Sequence, residues 1–334
     1  ILYDGNLTKE DGKGKWWEGL DPQMLYQQNH PMSKGSWDNG AIHGQWGWGG
    51  GACPPSKELV NNFYDRTLDA INRYNPDLIY FDVTVLPFYP LSDCGLKIAA
   101  HLYNKNPRGV VFGKILDENQ KKALTWDVER GAPNQMVEQP WQTCNCIGNW
   151  HYDKHLYYRD GYKSAAQVIA MLVDVVSKNG NLLLNVPLRS DGTPDPTEIG
   201  IVKEIGRWME VNSESIYGTR PWLVYGEGPS AETENPIEAQ GFNEGRQTYT
   251  ASDIRFTKKG DKTVYVTLLG VPEGETVVKA LGSKTALGSR RIKEISLLGS
   301  EEKVGWTQSA DALHICRPES IPSPEAVVFK VTLR

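Results

Sequence analysis

The sequence Pro76-Asp77-Leu78-Ile79-Tyr80-Phe81-Asp82 gives the clearest indication of fold in this chain. It follows an Asn-Pro break, becomes rich in β-favouring apolar residues and ends on a carboxylate. A run of this kind is typical of a buried strand in a parallel sheet. Parallel barrels carry their chemistry at the carboxyl ends of the strands, and an ionised group there needs a partner or a function to offset its desolvation. Asp82 is therefore the first candidate functional residue.

Helices and strands alternate on both sides of this predicted strand. Apolar residues at helical spacing predict one helix over about 56–74 and another over about 95–104. Capping signals predict that two more helices begin after Ser164 and after Asp195. Three further strands are predicted, at residues 109–113, 124–128 and 182–186. This alternation favours a parallel α/β barrel or a doubly wound sheet.

The pattern changes after Trp222. Prolines and glycines now separate short runs in which apolar and polar residues alternate, at residues 263–269, 292–298 and 327–333. Such runs predict an antiparallel β-sandwich. We therefore expect a catalytic barrel portion over residues 1–222 and a β-sandwich domain over residues 223–334.

Composition excludes several classes of partner. The 334 residues carry a net charge of −5, so the clustered basic surface that nucleic acid or an anionic membrane requires is not expected. No apolar run is long enough to span a membrane, so no membrane insertion is predicted. The five cysteines are scattered and predict neither a disulfide framework nor a metal site. Eleven tryptophans and fifteen tyrosines suit the stacking of sugar rings, although core packing must account for most of them.

Motifs in a fixed order along the chain point to one family. They are Pro76–Asp82, Glu129-Arg130-Gly131, Pro140–Cys144, Leu182–Pro187, Asp191-Gly192-Thr193, Ile216–Trp222 and Asp253–Thr257. Together they resemble the α-L-fucosidases of glycoside hydrolase family 29. The resemblance implies a (β/α)8-like TIM barrel, here N-terminally incomplete, followed by an antiparallel β-sandwich. On that template Ile1–Tyr3 ends the third strand, and the histidine pair with which the family binds sugar has no counterpart among the six histidines.

The implied activity is that of a retaining exo-α-L-fucosidase acting on fucosylated oligosaccharides or glycoconjugates, without a metal or organic cofactor. Retention requires two carboxyl groups about 5–5.5 Å apart, one a nucleophile and the other an acid/base. Two alternatives stay open: a barrel glycosidase for a galactose-configured sugar, and a non-catalytic carbohydrate-binding protein.

The resemblance implies that Asp82 is the nucleophile; the alternative for Asp82 is a helix cap or a salt bridge. Glu129 is the preferred acid/base because it ends another predicted strand, and an ion pair with Arg130 or a lysine is its alternative. Glu138, on the loop before Pro140-Trp141, is the rival. Asp127 shares a strand face with Glu129 and is a weaker third candidate.

Four more residues are candidates for contacts with the sugar. Lys114 stands where many relatives carry an arginine, and a solvated lysine is the alternative. Tyr3 and Tyr80 correspond to positions around the fucose ring, and core packing competes for both. Trp150 could line the side of the pocket that faces the sugar methyl group, although barrel packing is its default explanation.

A barrel that lacks its first strands would leave strand edges unpaired and apolar faces bare. Residues 1–334 expressed alone are therefore predicted to aggregate or to be inactive. The resemblance suggests a secreted, periplasmic or lysosomal protein whose signal peptide, if any, lies upstream of Ile1. The sequence specifies neither the fucosyl linkage nor the oligomeric state.

Overall fold

The chain folds as two units, Ile1–Asp127 and Val128–Arg334, and the division falls within the third strand. The computed structural model describes residues 8–21, 54–82, 85–237, 241–245 and 248–334. The candidate Tyr3 lies outside these ranges. In the part of the chain that is described, no helix is both long and apolar enough to cross a membrane.

Three parallel strands form the sheet of the N-terminal unit: β1 (Leu78–Tyr80), β2 (Val110–Gly113) and β3 (Thr125–Glu129). The last pair of β1 and β2 is Tyr80↔Phe112. The pairs between β2 and β3 are Phe112↔Thr125 and Gly113↔Trp126. The strands predicted at residues 109–113 and 124–128 are therefore present as β2 and β3, and their bounds differ by at most one residue from the prediction.

Helices α1 (Lys57–Tyr74) and α2 (Cys94–Lys105) alternate with these strands. Helix α1 begins where the Ser56 hydroxyl accepts a hydrogen bond from the Leu59 N–H at 3.1 Å. It ends at Tyr74, and the left-handed backbone of the capping residue Asn75 closes the last turn. Both helices bury their apolar faces in one core with β2, formed around Ile71, Ile98, Leu102 and Val111. Short 3-10 turns at Lys9–Gly12 and Gln120–Lys122 complete the described part of this unit.

The C-terminal unit begins with a second parallel pair, β4 (Trp141–Cys146) and β5 (Gly180–Asn185). Between them lie α3 (Lys154–Arg159) and α4 (Ala165–Ser177), and α5 (Pro196–Asn212) follows β5. Both predicted caps are present. Ser164 and Gln167 form a reciprocal capping box at α4, and Asp195 and Glu198 form another at α5.

Two antiparallel sheets close the chain. The larger has the strand order β10-β13-β8-β7-β6 and the smaller has the order β11-β12-β9. Their strands are β6 (Arg220–Glu227), β7 (Ile254–Lys259), β8 (Thr263–Leu268), β9 (Thr276–Val278), β10 (Ile292–Leu297), β11 (Trp306–Gln308), β12 (Leu313–Ile315) and β13 (Val327–Leu333). A 3-10 turn at Ser213–Ser215 precedes these strands, and a helical turn, α6 (Pro229–Glu232), and a 3-10 turn at Lys279–Leu281 lie between them. The predicted class, an incomplete (β/α)8-like barrel followed by an antiparallel β-sandwich, is confirmed. The domain boundary at residue 222 stays a prediction.

A buried ionic network ties α4 to the first strands of the sandwich. Asp174 Oδ1 accepts a hydrogen bond from Arg255 Nε at 2.6 Å, and Asp174 Oδ2 accepts one from Lys178 Nζ at 2.8 Å. Arg255 also donates to the Ser230 hydroxyl at 2.7 Å. All three charged side chains are almost fully shielded from solvent. The arginine in the Asp253–Thr257 motif thus neutralises a carboxylate on a barrel helix.

Two strands differ from their predictions in length and burial. β1 covers only Leu78–Tyr80, and Leu78 is exposed. β5 (Gly180–Asn185) begins and ends earlier than the predicted strand at residues 182–186, and Leu183 is exposed while Leu182 and Leu184 pack against α4 and α5. The reason is that an apolar run indicates a strand whether one or both of its faces are covered, and in β5 only alternate leucines pack into the hydrophobic core. The short strands β9, β11 and β12 were not predicted.

Candidate active site

Asp82 lies at the carboxyl end of β1 and is held by one lysine. The ammonium of Lys114, the residue immediately after β2, donates to Asp82 Oδ1 at 2.9 Å. The Asp82 side chain is 75% exposed, whereas the Lys114 side chain is only 9% exposed. Lys114 is thus not the solvated lysine of the alternative interpretation. The salt bridge considered for Asp82 is present, and among the described residues its partner is Lys114. Most of the carboxylate surface is nevertheless accessible to solvent.

Tyr80 precedes Asp82 by two residues and its hydroxyl is also engaged. It donates to Asp127 Oδ2 at 2.8 Å, and Asp127 is fully buried within β3. The Tyr80 ring lies 6.0 Å from the ring of Phe112, measured between centroids. Tyr80 therefore combines packing with a directed hydrogen bond. Asp127, the third candidate for the acid/base, is thus buried and hydrogen-bonded to Tyr80.

Glu129 ends β3 and is buried, with 8% of its surface exposed. Arg130 follows with a left-handed backbone (φ 49°), and its N–H donates to the carbonyl of Cys144 in β4 at 2.9 Å. Its guanidinium donates to Glu244. The ion-pair alternative for Glu129 requires Arg130 as its partner. In the part of the chain that is described, the hydrogen bond of the Arg130 guanidinium to a carboxylate goes to Glu244.

Glu138 is exposed and lies near the amino ends of β4 and β5, whereas Glu129 lies at the carboxyl end of β3. The side-chain amide of Asn179, the residue before β5, donates to the Glu138 carbonyl at 2.9 Å. Because β4 and β5 pair in register from Trp141↔Gly180 onward, this position is at the amino ends of both strands. A strand rises 3.2–3.4 Å per residue, so the carboxyl ends of β4 and β5 lie roughly 16 Å further along.

Trp150 follows β4 and is half-buried. Its carbonyl accepts a hydrogen bond from the side-chain amide of Asn185 at 3.1 Å. Asn185 is the last residue of β5, so Trp150 lies at the carboxyl edge, where barrel enzymes bind their substrates.

The sequence matches two family descriptions in succession: alpha-L-fucosidase over residues 22–214, and the alpha-L-fucosidase C-terminal domain over residues 247–332. The chain belongs to the alpha-L-fucosidase family. The resemblance found in the motifs of the sequence is thereby confirmed.

Named relatives agree with the alpha-L-fucosidase family. The tissue alpha-L-fucosidase of Mus musculus is 26% identical over 284 residues, which cover 80% of this chain and 54% of the relative. The tissue enzyme of Homo sapiens is 24% identical over 284 residues, covering 80% and 53%. The alpha-L-fucosidase of Dictyostelium discoideum is 38% identical over a shorter stretch of 93 residues, 28% of this chain and 20% of the relative. The chain spans about half the length of the mammalian relatives.

Solved structures of alpha-L-fucosidases share the fold. One alpha-L-fucosidase superposes with a TM-score of 0.66 at 22% identity, covering 94% of this chain and 62% of its own. The Thermotoga maritima alpha-fucosidase in complex with fucose superposes with a TM-score of 0.61 at 24% identity, covering 83% and 57%. At this level of identity the likeness supports the fold.

One part of the site in this alpha-L-fucosidase family chain was not predicted. Residues Gly241–Gly245 bind the backbone that follows Glu129. Their sequence, Gly-Phe-Asn-Glu-Gly, is typical of a loop and gives no periodic signal. Of the residues described, no three histidines, cysteines or acids lie where they could jointly hold a metal ion.

Proposed function

We propose that this chain supplies part of the active site of a retaining exo-α-L-fucosidase, which hydrolyses terminal α-L-fucosyl residues of glycans or glycoconjugates. The observation that carries the proposal is Asp82: an accessible carboxylate at the carboxyl end of a parallel strand, oriented by Lys114, in a chain of this family. Asp82 is the nucleophile. Lys114 holds Oδ1, so Oδ2 is the oxygen that attacks the anomeric carbon and forms the glycosyl-enzyme.

Glu129 is the acid/base of this mechanism. It protonates the leaving oxygen in the first step and deprotonates water in the second. Its position at the end of β3 supports this role, because barrel enzymes act at the carboxyl edge. The rival Glu138 is bound to the amino end of β5, which argues against its reaching a sugar at the other edge.

Three aromatic residues are proposed to contact the sugar. Tyr80 is oriented by its hydrogen bond to Asp127, and Trp150 is held at the carboxyl edge by Asn185. Tyr3 is assigned to sugar binding on the family resemblance alone. Planar aromatic side chains of this kind pack against the C–H face and the methyl group of a deoxy sugar.

A panel of aryl glycosides tests the proposed reaction. The intact protein should release the aryl group from the α-L-fucoside far faster than from galactosides, and NMR should detect α-L-fucose as the first product. Hydrolysis of a galactoside alone, or β-L-fucose as the first product, would contradict the proposal. Fucose binding without hydrolysis would favour a carbohydrate-binding protein.

Alanine variants separate the two glutamates. With an aryl fucoside that has a good leaving group, Glu129→Ala should keep the first step, which needs little acid assistance, and lose about 10²–10⁴-fold in the second. The measurement is pre-steady-state release of the aryl group, which should show a burst followed by slow turnover. Glu138→Ala is the matched control and should turn over like the wild type. A burst in the Glu138 variant alone would exchange the two assignments.

Lys114→Met removes the charge but keeps most of the side-chain length. We expect kcat/KM for the aryl fucoside to fall about 10²-fold, since a fixed electrostatic partner of the reacting group is lost. Lys114→Arg retains the charge with a different geometry and should lose less. Lys97→Met, which breaks an exposed ion pair with Asp93, is the control. Equal kinetics of Lys114→Met and wild type would remove Lys114 from the site.

A further inference from the structure

Residues Gly241–Gly245, here called the linker segment, bind the residues Glu129–Ala132, here called the acid/base segment. The Phe242 N–H donates to the Glu129 carbonyl at 2.7 Å, and the Glu244 N–H donates to the Arg130 carbonyl at 3.1 Å. Glu129 and Gly241 form an isolated parallel bridge. The main chain of the proposed acid/base is thus hydrogen-bonded to residues more than a hundred positions away in sequence.

Asn243 extends this contact through its side chain, which is buried. Its Oδ1 accepts the Ala132 N–H at 2.9 Å, and its Nδ2 donates to the Ala132 carbonyl at 2.9 Å. The same Nδ2 donates to the Asn235 carbonyl at 2.7 Å, and Asn235 Nδ2 donates back to the Asn243 carbonyl at 2.9 Å. A side-chain amide that satisfies both backbone groups of one residue fixes that residue in position and orientation.

Glu244 adds charge to the contact. It accepts a hydrogen bond from Arg130 and lies 3.3 Å from the Lys163 ammonium. Lys163 in turn donates to the Cys146 carbonyl at the end of β4, at 2.7 Å. Glu244 therefore connects the residue after Glu129 to the carboxyl end of the neighbouring strand through partly buried charges.

Steric details show that the two segments are fitted to each other. A Cβ at Gly241 would overlap the Glu129 carbonyl, and a Cβ at Gly131 would overlap Asn243 Oδ1. Arg130, between Glu129 and Gly131, has a left-handed backbone that a bulky side chain adopts at a cost in free energy. That conformation is held on both sides, by Cys144 and by Glu244.

From these contacts we infer that Asn243 and Glu244 are positioning residues for the acid/base, acting through the backbone of residues 129–132. The inference rests on the proposed function, because it assigns them to the proton-transfer role of Glu129. Proton transfer depends on donor and acceptor lying within hydrogen-bond reach, and a misplacement of about 1 Å can cost about 10² in rate. A loosened linker segment should therefore weaken acid catalysis before it weakens sugar binding.

Glu244→Gln in the intact protein tests this inference, because glutamine keeps the shape and removes the charge. Two aryl fucosides are compared, one with a good and one with a poor leaving group, since only the latter needs protonation in the first step. We expect kcat/KM to fall about tenfold or more with the poor leaving group and to change less than about twofold with the good one. The ratio of the two values does not depend on the folded fraction, so partial unfolding cannot imitate the effect.

Asn243→Ala should change the ratio in the same direction. Glu234→Gln, the same chemical change at an exposed residue of the same connection, should leave it unaltered. In a Glu129→Ala background, Glu244→Gln should have no further effect on the ratio, because the group that it positions is gone. Equal losses of kcat/KM on both substrates would overturn the inference. So would an effect of Glu244→Gln on the ratio that is unchanged in the Glu129→Ala background.

The controls separate this inference from the function on which it rests. If the wild type hydrolyses neither fucoside, the proposed function itself fails. If the wild type is active and Glu129→Ala shows no dependence on the leaving group, the acid/base assignment fails. If both behave as expected and Glu244→Gln leaves the ratio unaltered, only the positioning role is removed.

Discussion

Replacement of Asp82 by alanine or glycine is expected to abolish turnover of an aryl α-L-fucoside, with a loss of at least about 10⁴-fold in kcat. The reason is that, without the proposed nucleophile, no glycosyl-enzyme can form. The space left by the side chain admits a small anion, so azide should restore part of the activity and yield a fucosyl azide of inverted configuration. Release of the aryl group and NMR of the product measure both effects.

Asp77→Ala is the matched control, because Asp77 is an exposed acid at the amino end of the same strand, where it accepts a hydrogen bond from Asn106. It should retain nearly full activity. Circular dichroism of the Asp82 variants is needed as well, since Lys114 loses its counter-charge in them. A folded Asp82→Ala variant with wild-type turnover would remove this residue from the mechanism.

The second large effect concerns stability. Asp174→Ala is expected to lower the free energy of unfolding by about 3–5 kcal/mol, because it leaves the buried charges of Arg255 and Lys178 without their carboxylate. Urea denaturation measures the change. Asp261→Ala, at an exposed turn between β7 and β8, is the control and should have almost no effect. A loss below about 1 kcal/mol for Asp174→Ala would show that the network is relaxed or hydrated in solution.

The same network predicts a pH dependence. Burial alone would raise the pKa of Asp174, but the charges of Lys178 and Arg255 and their hydrogen bonds outweigh it, so the pKa of Asp174 is lowered. A carboxyl group whose pKa is lower in the folded state stabilises the protein above its unfolded pKa, about 3.9, and loses that contribution as the pH falls toward the folded value. The stability difference between wild type and Asp174→Asn should therefore be constant through the neutral range and narrow below about pH 4.

Local sequence signals predicted those elements that local physics determines. The capping boxes at Ser164 and Asp195 are formed by residues three positions apart, and both helices begin where these residues indicate. Alternation predicted β8 and β13 because one face of each strand packs into the sandwich core. Asp82 was recognisable as the polar end of an apolar run, and the position of that run beside β2 confirms a parallel strand.

Properties that depend on residues distant in sequence could not be predicted from local sequence signals. The exposure of Leu78 in β1 and of Leu183 in β5 reflects which faces of these strands are covered, and coverage is set by other parts of the chain. Glu129 ends a predicted strand, but the strand that follows Glu138, β4, was not predicted, so the sequence did not show that Glu138 lies near the amino ends of β4 and β5. The contact between Arg130 and Glu244 joins residues 114 positions apart, and no local sequence pattern predicts it.

The pairing of residues 129–132 with residues 241–245 has a consequence for recombination. It crosses the proposed boundary at residue 222. A chimera joined there would therefore combine the proposed acid/base segment of one parent with the linker segment of the other. Exchange of the sandwich as a cassette should therefore preserve activity only when both stretches descend from the same parent.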